Sequence, residues 1–190
     1  LISVLSLFLE LMFIRWISTE IRIFAYLQNT ILIVCFLGLG LGCFTCRQPI
    51  KLGQILLPML SLIFIFAVPF VRQKLGEFST GLSVLEDFVI WNFKISTTLW
   101  GTISSIFISL AVMYAIMLLI VDIFFPLGRI LGRLMEDHPN TIWAYSVNVG
   151  GSLIGIWMFV LISMFNQPPL TWFLIFGVLV IFFINKTGEN

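Results

Sequence analysis

The sequence predicts an all-α fold, a polytopic transmembrane helical bundle of about six spans in a single domain over residues 1–190, and three observations carry that prediction. Hydrophobic residues make up 60% of the chain and charged residues only 10%. Mean hydropathy is +1.12, whereas a soluble domain carries about a quarter charged residues and stays in water because of them. The apolar residues are gathered into runs near the length of a bilayer crossing, about 20 residues, with short polar links between them.

The first run, residues 1–14, is short for a span unless it starts earlier, and the absence of a basic leader argues against reading it as a signal peptide. A polar link from Arg15 to Arg22 follows. The second span covers residues 23–44 and ends at Thr45-Cys46-Arg47-Gln48-Pro49. The third covers residues 55–71, with Pro58 in its first turn, where a missing N–H does little harm.

Residues 72–98 form the one long connection. Within it Leu82, Leu85, Phe88 and Val89 recur at helical spacing beside Glu86, Asp87 and Lys94, which predicts an interfacial amphipathic helix over residues 81–94. The fourth span, residues 99–125, is closed by Pro126-Leu127-Gly128. A polar link containing Arg129, Arg133, Glu136, Asp137 and His138 leads to the fifth, residues 142–165. Asn166-Gln167-Pro168-Pro169 reads as a tight turn before the sixth, residues 170–184.

Charge sets neither partner nor orientation. A net charge of +1 lacks the basic patch that phosphate neutralisation requires, so no nucleic-acid partner is expected and the lipid bilayer is. Arg47, Lys51, Arg129, Arg133 and Lys186 fall on one side of the predicted spans, and Arg15, Arg22, Arg72, Lys74 and Lys94 on the other. An equal division leaves topology open on the charge rule.

Polar and small residues mark where helices meet. Lipid offers a buried polar group no partner, so such residues face protein. Arg22, Tyr26 and Asn29 share one helical face, as do Ser3, Ser6 and Glu10, then Thr102, Ser105 and Ser109, and then Tyr145, Asn148, Ser152 and Gly155. Gly38-x-x-x-Gly42 and Gly151-x-x-x-Gly155 have the spacing that lets helix backbones approach closely. The simplest reading makes these stripes packing seams. The sharper one gathers Asn29, Tyr145 and Asn148 around a polar cavity at mid-membrane, as in transporters. For Glu10, an ion pair with Arg15 or Arg22 that locks the first two spans together is preferred over a proton or substrate site. Asp122, close to a helix end, reads as interfacial.

Other chemistry finds little footing. Cys43-x-x-Cys46 has redox or metal-ligand spacing, but Cys35 is the only further cysteine and His138 the only histidine, too few for a structural zinc site. Haem attachment needs histidine where Arg47 stands. Trp16, Trp91, Trp100, Trp143 and Trp172 fall near predicted span ends, where aromatic belts form. Gly150-Gly151-Ser152 lies inside an apolar helix, not between a strand and a helix as a phosphate loop does. No cofactor, metal or enzymatic activity is expected.

Two stretches nevertheless resemble a known family. The first holds Leu9-Glu10-Leu11, Ile14-Arg15-Trp16, Arg22-Ile-Phe-Ala-Tyr26, Asn29 and the glycine-spaced Phe36-Leu-Gly-Leu-Gly-Leu-Gly42. The second holds Pro126-Leu-Gly-Arg-Ile-Leu-Gly-Arg133, Ala144-Tyr-Ser-Val-Asn148 and Gly150-Gly-Ser-Leu-Ile-Gly155. Both are similar to the membrane module of spermidine-synthase-like proteins, a helical bundle likened to half or all of a major-facilitator fold and often fused to an aminopropyltransferase domain. The resemblance implies that the first two spans join outside the cell and that Arg129 and Arg133 face the cytoplasm. The glycine-rich nucleotide site and acidic residues of the catalytic domain have no counterpart here, so aminopropyl transfer does not carry over.

The resulting expectation is a non-catalytic integral membrane protein, placed in a bacterial cytoplasmic membrane, that acts as a structural or accessory subunit beside other membrane subunits or a missing domain. The alternatives are half of a transporter for a small, cationic solute such as a polyamine, and the membrane anchor of a spermidine-synthase-like enzyme.

Overall fold

The structure is a computed structural model and describes residues 1–20, 28–49, 53–71, 73 and 99–187. The expected interfacial helix over residues 81–94 lies outside the described residues. Every regular element described is helical: α1 (Ile2–Glu20), α2 (Gln28–Phe44), α3 (Gly53–Ala67), α4 (Leu99–Glu136), α5 (Thr141–Met164) and α6 (Pro169–Thr187). Three helices, Ile2–Glu20, Ile106–Glu136 and Thr141–Met164, are long and apolar enough to cross a membrane; the apolar stretches Asn29–Phe44, Gln54–Ala67 and Pro169–Phe182 are shorter.

Helix α1 is the centre of the bundle. Within its apolar stretch 67% of residues are buried, against 11% for α5. Aromatic contacts fasten it to α3, α4, α5 and α6. Phe8 meets Phe159 of α5 edge-on at 5.7 Å between ring centres, and Phe13 meets Phe124 of α4 at 6.0 Å. Trp16 lies 4.8 Å from both Phe66 of α3 and Phe173 of α6. Lipid tails are as apolar as these side chains, so tight ring packing, not water exclusion, favours association here.

Two helices run on through stretches expected to be links. Helix α1 does not stop at Ile14 but continues through the expected polar link to Glu20. Trp16 and Ile17 are buried anchors inside that link, while Arg15 and Thr19 turn to the exposed side. Helix α4 likewise runs past Pro126 to Glu136. Proline removes one backbone donor and normally breaks a helix interior. Here the residues that follow it, Leu127 to Ile130, are all buried against α2, and packing holds the helix together. The expected link from Arg129 onward is therefore a helical face.

Elsewhere local chemistry decides the ends. Helix α3 stops at Ala67, short of residue 71, because Val68 precedes Pro69 and such a residue avoids the helical region. The Asn140 side chain accepts a hydrogen bond from the Trp143 N–H at 3.1 Å and caps α5. Asn166 adopts φ of 49° in the turn before α6, a left-handed conformation that asparagine tolerates.

Trp16 and Trp172, expected in an aromatic belt, are instead core residues at 5% exposure each. Trp16 lies on the central helix itself, packed against Phe66 and Phe173, and Trp172 packs edge-on against Phe159 at 5.5 Å. Trp100 and Trp143 are exposed.

Candidate functional site

Two interhelical seams gather most of the small and polar side chains. The first joins α1 to α5. The Ser3 hydroxyl donates to the Asn148 side-chain oxygen at 2.6 Å. One turn further, a Cβ on Gly151 would touch Ser3 Cβ at 3.1 Å, and one on Gly155 would stand 2.5 Å from the Val4 carbonyl oxygen. Asn148, Gly151 and Gly155 thus form one ridge at i, i+3, i+7 spacing, against which Ser3 and Val4 lie.

The second seam joins α2 to α4 and is tighter. A Cβ on Gly38 would fall 2.8 Å from Phe124 Cβ, and one on Gly42 would fall 2.8 Å from Gly128 Cα and from the Arg129 N. Gly128 in turn faces the Leu39 backbone, and Gly132 faces Cys43 Cα at 2.9 Å. Gly128-x-x-x-Gly132 is therefore the partner of Gly38-x-x-x-Gly42. Sequence reading missed it because it sits after Pro126, in what looked like a polar link. The signal, two glycines four apart, was present.

Beyond the glycines, two arginines of α4 clamp the turn that ends α2. Arg129, 9% exposed, donates from Nε to Thr45 Oγ1 at 3.1 Å, from Nη1 to the Pro49 carbonyl at 3.1 Å, and from Nη2 to Gln48 Oε1 at 2.7 Å. Its guanidinium also lies 4.3 Å from the centre of the Phe125 ring. Arg133, one turn on, donates from Nη2 to the Cys46 and Gln48 carbonyls at 3.0 and 2.8 Å. Carbonyls at a helix end lack intrahelical donors, and a guanidinium supplies several in fixed geometry. Arg47 and Glu136 add an exposed ion pair at the same end.

The cysteines are free. Cys43 donates to the Gly128 carbonyl at 3.3 Å and Cys46 to Glu136 Oε2 at 3.2 Å. That hydrogen bond to Glu136, together with burial, pushes the Cys46 thiol above its ordinary value. Among the described residues no three His, Cys, Asp or Glu side chains gather as a metal site.

Among the described residues, the polar side chains singled out in the sequence do not share one cavity. Asn148 is engaged with Ser3, Tyr145 is 60% exposed on the outer face of α5, and Ser152 is half-buried. Asn29 is exposed at the start of α2, while Arg22 and Tyr26 lie outside the described residues. Arg15 does not pair with Glu10; it is exposed, its guanidinium 5.5 Å from the centre of the Trp172 ring. Glu10 is buried at 2% exposure, with no hydrogen-bond partner at Oε2 among the described residues. Asp122 is exposed and lines an open cleft of about 670 Å³ between α3 and α4, with Gln54, Leu57, Leu119 and Arg129.

No family model, curated protein or solved structure matches this chain.

Proposed function

We propose that this chain is a non-catalytic, multi-pass membrane module of six spans that serves as a structural or accessory subunit of a larger assembly in a bacterial cytoplasmic membrane. The observation that carries the reading is the contrast between α1 and α5. Polar contacts inside the bundle join helix to helix, as in Ser3 with Asn148 and Arg129 with the end of α2. The outer face of α5, by contrast, turns Leu153, Trp157, Leu161 and Met164 outward, each more than half exposed. Apolar surface of that extent belongs against lipid or against a partner helix.

The resemblance to the membrane module of spermidine-synthase-like proteins fits this role. The stretch Pro126 to Arg133 that carries it uses both glycines and both arginines for docking α4 on α2. A transporter half would need Glu10, Asn29, Tyr145 and Asn148 around one water-filled space. With Tyr145 turned outward and Asn148 bonded to Ser3, that alternative has less support.

Photo-crosslinking residues at positions 153 and 157, activated in native membranes, test the reading. A protein adduct of discrete mass is expected at both positions, and none at the buried position 159. Adducts to lipid alone at 153 and 157 would remove the basis for a subunit.

A further inference from the structure

Glu10 is the single buried carboxylate among the described residues. It sits halfway along α1, the helix that the rest of the bundle surrounds. Among the described residues its Oε2 has no hydrogen-bond partner. An ionised carboxylate in such a place loses its hydration and gains nothing in return, unless a cation faces it.

No described cation does. Helices α2, α4, α5 and α6 pack against α1, and α3 reaches it through Phe66. On α2 the ionisable groups are Cys35, buried within electrostatic reach of Glu10, and Cys43, bonded to the Gly128 carbonyl. On α4, Arg129 and Arg133 hold the turn after α2, Glu136 pairs with Arg47, and Asp122 and Tyr114 are exposed. The one ionisable residue of α5, Tyr145, is exposed, and neither α3 nor α6 as far as Phe182 carries any. On α1 itself Arg15 points outward toward Trp172, and Glu20 stands about 15 Å further along the axis.

We propose that Glu10 is an intramembrane proton-binding site, its carboxyl holding a proton at neutral pH within the folded bundle. The ligand is H⁺, and the neutral acid is the form accepted by an apolar interior in which no described cation faces the carboxyl. Uptake of the proton removes the charge without any other group having to move.

Infrared spectroscopy of the purified protein in lipid tests this directly. The wild type is expected to show the carbonyl stretch of a protonated carboxyl at neutral pH, and Glu10→Gln to lack that component while keeping the same helical content. Glu10→Ala serves in the same way should the amide variant fold poorly. Spectra of wild type and variants that coincide in the protonated-carboxyl region at neutral pH would overturn the proposal, because Glu10 would then be ionised. The result does not depend on whether α5 meets a partner.

Discussion

Gly42 of α2 and Gly128 of α4 meet backbone to backbone, so closely that a methyl group on Gly42 would fall 2.8 Å from the Gly128 Cα. No side-chain adjustment relieves such a contact, because the atoms opposite belong to the main chain. Gly42→Ala must therefore push the two helices apart. A loss of about 1–3 kcal/mol is expected, read as a lower unfolding midpoint in a denaturing-detergent titration. Gly150→Ala is the control: nothing lies within 4 Å of its added Cβ, and stability should hold or rise slightly. Equal effects at the two positions would mean that the seam is not close-packed.

The arginine clamp makes a separate prediction. Arg129→Ala removes three hydrogen bonds to the turn at Thr45, Gln48 and Pro49, and buried hydrogen bonds to charged groups contribute about 1.5–3 kcal/mol each when lost singly. Hydrogen exchange over residues 45–48 should accelerate at least tenfold while the middle of α2 stays protected. Arg129→Lys should rescue little, since an ammonium cannot reach three acceptors in that fork. Arg47→Ala, in a solvent-exposed pair, should leave exchange unchanged.

Ser3 and Asn148 provide a measurable pair between α1 and α5. A double-mutant cycle with Ser3→Ala and Asn148→Ala should return a coupling of about 0.6 kcal/mol, the usual size for interhelical hydrogen bonds in membranes. Additive single losses would show that the contact contributes nothing beyond packing.

Cys46 should alkylate slowly at neutral pH. Its thiol is held up chiefly by the hydrogen bond to Glu136, and only the thiolate reacts. Raising the pH through the ordinary thiol range should leave its maleimide reaction lagging behind that of a free cysteine. Glu136→Gln should speed the reaction at a given pH, because it replaces the charged acceptor by a neutral, weaker one and removes the negative charge beside the thiol. An unchanged rate in that variant would contradict the hydrogen bond.

Much of the helical content is legible in the sequence because it depends on local composition. Long apolar runs form helices whatever surrounds them, since lipid and protein interior alike demand internal backbone hydrogen bonds. Runs 99–125, 142–165 and 170–184 each coincide with a helix to within a few residues, apart from the extension of α4 past Pro126. The asparagine cap of α5 and the turn at Asn166 follow from residue chemistry in the same way.

Pairing is another matter. An apolar helix face reads the same whether it meets lipid or another helix, so hydropathy does not tell α1, enclosed by its neighbours, from α5, largely exposed. Nor does it reveal that Arg129 and Arg133, which look like loop charges, are helical residues aimed at the end of α2. Composition determined by itself that this chain is a set of apolar helices with few charges. Only the tertiary structure decided which glycines meet, where Pro126 is tolerated and how Glu10 comes to be enclosed, because those outcomes rest on contacts between residues some 80 to 150 positions apart.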